Sequence, residues 1–235
     1  TLFMDQNTIA LFGLWYVVFL FSTTCHEAAH AFVAMRGGDF TAALGGQASL
    51  NPYPHVRREM FGMVLVPLLT FFTSGWMLGW ASAPYDPNWQ RRYPKRSALM
   101  SLAGPAANFS LALVAAVVIR LGVGAGVLQL PDGVSFTRIV QATQPGGWEA
   151  IAILVSILFS LNVLLGTFNL LPFPPLDGAG AIGLILPDKL ALRVMPLAHN
   201  PMMSLVGLLI AWNFFGPVFL PVFRFCLALL FTGLR

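Results

Sequence analysis

Residues 9–34 read IALFGLWYVVFLFSTTCHEAAHAFVA, and this apolar run decides the class of fold. It is long enough to cross about 30 Å of hydrocarbon, because an α-helix rises about 1.5 Å per residue. Acidic Asp5 precedes it where a signal peptide would carry basic residues, so we expect the run to remain in the mature protein. Near its end lies the pattern His26-Glu27-x-x-His30, whose ionisable groups are rare at membrane depth.

Three further apolar runs of comparable length follow, at residues 98–119, 150–171 and 202–230. The composition agrees with them, because 57% of the residues are hydrophobic and only 9% are charged. The sequence therefore predicts an all-α integral membrane protein, a polytopic helix bundle embedded in the lipid bilayer. No loop between the runs is long enough for a folded domain of about 50 residues, so residues 1–235 are expected to form one membrane-embedded domain.

Cysteine and charge content exclude several other classes of protein. Cys25 and Cys226 both lie in apolar runs, so the chain has neither a disulfide framework nor a cysteine-rich zinc module. Any metal must then be held by histidine and carboxylate. The excess of the +4 net charge sits in short loops between apolar runs, where lysine and arginine set membrane orientation, so no nucleic-acid partner is expected.

The sequence CHEAAH at residues 25–30 places two histidines four residues apart. On a helix, His26 and His30 lie on one face, where both imidazoles can bind one cation, and Glu27 lies beside them. A hydrolytic zinc site needs two such neutral imidazoles and a carboxylate that accepts a proton from water. The competing interpretation, polar residues satisfied inside a helix bundle, is disfavoured because burying three ionisable groups in one membrane helix is costly without a partner.

A catalytic zinc ion has three protein ligands and an open position, so one more histidine or carboxylate is needed at membrane depth. Asp177 is the best candidate, within NLLPFPPLDG at residues 169–178. Prolines interrupt the apolar run there, and irregular backbone in a membrane is tolerated only where it lines an enclosed or wet cavity. Taken alone, an aspartate before Gly178 indicates a turn or a helix cap, and the histidine pair is what favours a ligand.

These motifs together resemble a known family. HExxH in one apolar run and NLLPFPPLDG in a later one are similar to the two signatures of the site-2 protease family of intramembrane metalloproteases. The intervening AGPAANF at residues 103–109 and LNPYPH at residues 50–55 resemble segments of its compact bacterial and archaeal branch, without PDZ or CBS domains. The resemblance covers residues 25–178, and the motifs stand in the family's order.

The resemblance implies a set of site residues. His26, His30 and Asp177 would bind one Zn²⁺ per chain, and Glu27 would be the general base. Asn169 matches a family asparagine that positions the substrate carbonyl or stabilises its oxyanion, and a helix-capping or interhelical role is the open alternative.

Three smaller expectations concern the surroundings of this site. Asn51 is a candidate for positioning substrate, since residues 45–54 are expected to pair with an unwound substrate strand. His55, which follows it, is expected to be interfacial and not a ligand. The AGPAANF segment, with Gly104 and Asn108, is expected to allow close helix approach near the site.

The resemblance also implies the reaction: hydrolysis of peptide bonds in or near transmembrane segments of single-span or otherwise membrane-anchored proteins, in a prokaryotic cell membrane. The main alternative is a membrane transporter or metal permease, because intramembrane histidine and glutamate also mark ion pathways. A non-catalytic binding protein is a second alternative. Glu27 argues against it, since a binding site alone needs no base.

A parity argument determines the path of the remaining apolar segment, residues 60–80. If this segment crossed the membrane, Asp177 would lie most of a bilayer thickness from the two histidines, and no single zinc site would form. We therefore predict a re-entrant hairpin that bends near Pro67 or at residues 73–75. The loops on the site's side then hold most of the lysines and arginines, so the positive-inside rule places the zinc site toward the cytoplasm.

Overall fold

A computed structural model describes residues 6–195 and 200–234. The helices in these ranges are α1 (Gln6–Arg36), α2 (Thr41–Leu44), α3 (Pro52–Arg58), α4 (Val66–Ser74), α5 (Pro87–Arg92), α6 (Pro94–Gly124), α7 (Gly147–Asn169), α8 (Asp177–Ala181), α9 (Asp188–Val194) and α10 (Pro201–Phe231). Two short strands, β1 (Leu128–Gln129) and β2 (Gln141–Ala142), pair antiparallel between α6 and α7. Among the described residues, α1, α6, α7 and α10 are long and apolar enough to cross a membrane. They match the four predicted runs to within a few residues, which confirms the all-α, multi-pass prediction.

Several helices begin with the same local signal, an Asn or Asp followed by proline. The side chain of Asn51 accepts a hydrogen bond from the Tyr53 amide at the start of α3, and Asp86 and Asn200 cap α5 and α10 in the same way. The side-chain oxygen satisfies an amide left free in the first turn, and proline needs no amide partner there. For this reason residues 45–54 contain turns and the first residues of α3 instead of a strand.

The core is built by α6, which packs against both α1 and α7. Small residues of α6 such as Ala115 meet Phe159 and Val163 of α7 in one buried cluster. On its other side α7 meets α1, where Trp15 packs with Ile157 in a second cluster. In the most apolar stretch of α7, 67% of the residues are buried, whereas in that of α10 only 11% are buried. The fold is therefore a three-helix core with α10 attached on its outside.

The segment between α1 and α6 is the predicted hairpin. A π-helical turn, Phe61–Leu65, runs directly into α4, and Gly75 ends that helix with a φ of 78°. The chain then returns in extended form, and the Trp80 amide donates to the Gly62 carbonyl over 3.2 Å. This pairing brings both ends of the segment together, which confirms the re-entrant prediction. The bend lies at the glycine end of residues 73–75, because positive φ is accessible to glycine at little steric cost.

The ends of α1 and α6 that approach the hairpin lie on the same side of the bundle. The Arg96 guanidinium in the first turn of α6 donates to the Gly37 carbonyl over 3.0 Å, and the Trp89 indole donates to the same oxygen over 2.9 Å. Gly37 follows directly after α1. The long helices thus alternate in direction, and α10 continues through Pro217 and Pro221 as a single helix.

Candidate metal centre

The two histidines of α1 are held with their rings almost perpendicular and their ring centroids 4.7 Å apart. Their Nε2 atoms lie 3.0 Å from each other. The opposite ring nitrogens have partners on α6, because His26 Nδ1 lies 2.6 Å from Asn108 Oδ1 and His30 Nδ1 lies 2.7 Å from the Met100 carbonyl. Both partners are oxygen acceptors, so each Nδ1 carries the proton. Each Nε2 is then left with a lone pair, and the two lone pairs converge.

Asp177 reaches the histidines from the loop that follows α7. Its Oδ2 atom lies 3.1 Å from His26 Nε2 and 3.3 Å from His30 Nε2. Gly178 makes this approach possible, because a side chain there would overlap the carbonyls of Leu170 and Leu171. Asp177 therefore places a carboxylate oxygen beside both imidazole nitrogens.

The three converging atoms fit a metal ion and fit little else. Asp177 Oδ2 is buried and has no hydrogen-bond donor among the described residues when both imidazoles are protonated on Nδ1. Three lone-pair atoms within 4.8 Å of one another would repel without a cation between them. Two imidazoles and one carboxylate form a ligand set typical of catalytic zinc. In the described part of the chain, this cluster is the one group of three or more such side chains that could hold a metal.

Space for the ion is provided by Gly104 of α6. A β-carbon at this position would overlap the Nε2 atoms of both His26 and His30. The absence of a side chain therefore leaves open the volume into which the three ligand atoms point. This is the close helix approach that the AGPAANF segment predicted.

A cavity of about 210 Å³ opens beside the cluster, and Glu27 shares its wall with the three ligand candidates. Glu27 is 5% exposed and lies on α1 next to His26. The opposite wall is the extended chain after the hairpin, including Ala81, Ser82 and Tyr85. Burial raises the pKa of the Tyr85 phenol, so its hydroxyl is neutral at physiological pH. A carboxylate and a candidate metal site in one cavity are the components needed to activate water.

Of the three remaining residues discussed in the sequence, one lines this cavity and two do not. Asn169 lines it, and its side-chain nitrogen donates to the Leu165 carbonyl over 3.0 Å. Asn51 is exposed, caps α3 and is not part of the cavity wall. His55 is fully buried under the loop, with Nε2 3.1 Å from the Ser49 carbonyl, and it is not in the metal cluster.

Two polar residues at the centre of the bundle went unrecognised in the sequence. Asn162 and Ser22 are completely buried and are connected to the site through Asn108. Asn108 itself was assigned only a packing role. Asn162 had a signal, because it is a lone amide in the apolar run ILVSILFSLNVLLG, and a polar residue inside a membrane helix usually has a specific partner.

A membrane-embedded bundle with a His-His-Asp cluster and an adjacent glutamate defines the class of intramembrane metallohydrolases. Residues 14–213 match peptidase family M50, the site-2 protease family, and the chain belongs to that family. It is 34% identical over 174 residues to the Bacillus subtilis (strain 168) protein named "Putative zinc metalloprotease YwhC", covering 72% of this chain and 68% of that protein. It is 30% identical over 220 residues to Mycobacterium tuberculosis H37Rv "Putative zinc metalloprotease Rip2", covering 90% of this chain and 74% of that protein. No solved structure matches the chain significantly.

Proposed function

We propose that this intramembrane zinc metalloprotease cleaves peptide bonds with His26, His30 and Asp177 as zinc ligands and Glu27 as the general base. The observation that carries the assignment is the convergence of three lone-pair atoms within 4.8 Å, beside a cavity shared with Glu27. Nothing in the comparisons favours a transporter, since the matched family is a peptidase family and the relatives are named as zinc metalloproteases.

When bound, zinc supplies Lewis acidity, which lowers the pKa of a water molecule and polarises a peptide carbonyl. Glu27 accepts a proton from the attacking water and returns it to the leaving nitrogen. Asn169 lines the same cavity, and one N–H of its amide donates to the Leu165 carbonyl, which leaves the second N–H for the oxyanion. His30 is held by the Met100 carbonyl, and this contact keeps its Nε2 beside His26 Nε2 and Asp177 Oδ2, where it would bind the metal.

A transmembrane helix keeps its carbonyls in internal hydrogen bonds, so a substrate must unwind before it can be cut. The returning arm of the hairpin offers an unwound strand a partner. Ala81 and Ala83 line the cavity, and their backbone groups have no hydrogen-bond partner within the described ranges. An extended segment with free amides and carbonyls binds a second strand by backbone pairing. We assign substrate pairing to this arm, and Asn51 would position substrate only indirectly, by capping α3.

The substrates proposed are single-span or membrane-anchored proteins, and the membrane proposed is the prokaryotic cell membrane. Basic side chains cluster at the site's side of the bundle, where Arg96 binds the carbonyl after α1. The positive-inside rule places this side, and the zinc site near it, toward the cytoplasm. Residues 1–235 are proposed to act as one membrane-embedded domain, because α6 joins the hairpin side, α1 and α7 in one packed core.

The test is cleavage of a single-span substrate by the purified chain in liposomes, for the native chain and for Glu27→Gln. We expect Glu27→Gln to retain one zinc per chain and to lower the cleavage rate by about 100-fold to 10,000-fold, the usual contribution of a general base. Glu149→Gln is the matched control, since Glu149 is exposed in the first turn of α7 and away from the cavity. Its cleavage rate should equal the native rate.

A chelator should abolish native cleavage, and added zinc should restore it. Cleavage that persists in Glu27→Gln would overturn the assignment of the base. Metal transport into sealed liposomes by the native chain, without cleavage, would favour the transporter instead.

A further inference from the structure

A continuous line of buried hydrogen bonds connects His26 to the backbone of α7. His26 Nδ1 bonds to Asn108 Oδ1 over 2.6 Å, and Asn108 Nδ2 donates to Asn162 Oδ1 over 2.8 Å. Asn162 Nδ2 in turn donates to the Leu158 carbonyl over 2.8 Å and to Ser22 Oγ over the same distance. Asn108 and Asn162 are both 0% exposed. The line therefore crosses from α1 through α6 to α7 without reaching the surface.

The Leu158 carbonyl at the end of this line determines which group donates and which accepts in each of its hydrogen bonds. The Leu158 carbonyl can only accept, so Asn162 must present its NH₂ group to that carbonyl and its oxygen to Asn108. Asn108 must then present its own NH₂ group to Asn162, which leaves its oxygen facing His26. An oxygen at that place requires a proton on His26 Nδ1. The free lone pair of His26 is consequently on Nε2, toward Asp177.

We propose that Asn108 and Asn162 form a positioning relay. The Leu158 carbonyl fixes the orientation of the Asn162 amide, and Asn162 fixes Asn108 with its oxygen toward His26. This orientation selects the His26 tautomer that binds zinc. The proposal rests on the metal ligands of the proposed function. His30 reaches the same state in one step, because its Nδ1 faces the Met100 carbonyl directly. His26 Nδ1 instead bonds to the side-chain amide of Asn108, which could turn either its oxygen or its NH₂ group toward the histidine. The relay removes that freedom.

The reversed amide would be harmful at this position. If Asn108 turned its NH₂ group toward His26, Nδ1 would become an acceptor and the proton would move to Nε2, into the space between the metal ligands. Zinc binding would then require either loss of that proton or rotation of a buried side chain. Asn162 prevents this without touching any ligand of the site, so it is a positioning residue that acts only through Asn108.

The first measurement is zinc affinity by chelator competition, together with the melting temperature in detergent, for Asn162→Leu. Leucine keeps similar bulk and removes the relay behind Asn108. We expect zinc affinity to fall about tenfold, the lower range for loss of a group that orients a metal ligand. The matched control is Thr167→Val, which removes a buried hydroxyl from the same helix, one that bonds only to the Val163 carbonyl. Its zinc affinity should be unchanged.

A second variant separates polarity from packing. In the double variant of Asn108→Asp with Asn162→Leu, a carboxylate accepts from His26 Nδ1 whichever way it turns, and leucine removes the Asn162 oxygen that would repel it, so zinc affinity should exceed that of Asn162→Leu alone. Adding Asn162→Leu to Asn108→Asp should then cost no zinc affinity. This non-additivity is the signature of the relay, since a purely structural role for Asn162 would lower affinity equally in both backgrounds.

Native zinc affinity in a folded Asn162→Leu would overturn the relay, as would equal losses in the two backgrounds. If Asn162→Leu does not fold, Asn162→Ala decides, because a folded Asn162→Ala that binds zinc as tightly as the native chain contradicts the proposal. A native chain that binds zinc in this way but cuts no peptide would overturn the proposed function and not the relay.

Discussion

The metal cluster has two sides that are built in different ways. His26 and His30 lie on α1, a helix of 31 residues whose buried face packs against α6. Asp177 lies at the start of α8, a helix of only five residues, after a loop that contains three prolines. The histidines keep their spacing through the helical repeat alone. The position of Asp177 depends instead on the contacts that hold its loop against α1.

Close contacts to glycine show what holds each side. On the histidine side, Gly104 of α6 lies against both imidazoles. On the aspartate side, Gly207 of α10 lies against the Pro174 carbonyl, with no room for a side chain. Leu171 and Leu176 of the loop pack with Ala211 of the same helix. The outermost helix therefore supports one ligand of a site in whose cavity wall it takes no part, and the two sides should respond differently to substitution.

The largest effect is expected on removal of the aspartate ligand itself. Asp177→Ala should lower zinc affinity at least about 100-fold, because removing one partner of a buried charged cluster costs about 3–5 kcal/mol. Cleavage should be lost with the metal, in contrast to Glu27→Gln, which keeps its zinc. Metal content after dialysis gives the measurement, with Asp188→Ala as the control, an exposed aspartate at the start of α9. Stoichiometric zinc in Asp177→Ala would remove this residue from the ligand set.

A methyl group on the histidine side should be nearly as damaging. Gly104→Ala places a β-carbon against both Nε2 atoms, so we expect a loss of zinc affinity of about 10-fold to 100-fold. Alanine favours a helix over glycine by about 1 kcal/mol, so the fold should not be weakened by propensity. Gly124→Ala in the same helix meets nothing within 4 Å and is the control. Native zinc affinity in Gly104→Ala would show that the imidazoles move apart freely.

Substitution at Gly207 tests whether α10 supports Asp177. Gly207→Ala should push α10 away from the Pro174 carbonyl at a cost of about 1–3 kcal/mol, and the displaced loop should reduce zinc affinity by about tenfold. In the control Gly216→Ala, also in α10, the β-carbon would meet nothing within 4 Å, so both stability and zinc affinity should stay at the native value. Melting temperature and chelator competition measure the two effects. A destabilised Gly207→Ala with native zinc affinity would mean that the loop holds Asp177 without α10.

The smallest effect is expected at the far end of the aspartate side. Lys95 donates hydrogen bonds to the carbonyls of Gly183, Leu184 and Leu186, where the chain leaves α8. Lys95→Met should reduce stability by about 1 kcal/mol, since the ammonium is partly exposed and water replaces some of these bonds. Zinc affinity should be unchanged. Lys189→Met is the control, as Lys189 is exposed on α9. A large loss of zinc in Lys95→Met would extend the support of Asp177 to the start of α6.

Much of the fold was predictable because its signals are local. The four spans follow from apolar length, and the caps at Asn51, Asp86 and Asn200 follow from side chains that bond to the next turn. The hairpin was predictable for a different reason, since a single zinc site cannot have ligands on opposite sides of a membrane. The segment proposed to pair with substrate was not predictable in this way, because only the structure shows that the backbone groups of Ala81 and Ala83 lack partners within the described ranges.

At the site, the sequence by itself determined which residues are proposed to carry the chemistry: a helical repeat puts His26 and His30 on one face with Glu27 beside them, and the resemblance of NLLPFPPLDG to a family signature points to Asp177. Tertiary structure alone decided the contacts that make this chemistry work. Asn108 and Asn162 were brought into one hydrogen-bonded line only by the packing of α6 against α7. The packing of α10 against α7 and the loop after it set Gly207 against the Pro174 carbonyl. Both contacts join residues far apart in the chain, so no local pattern in the sequence encodes them.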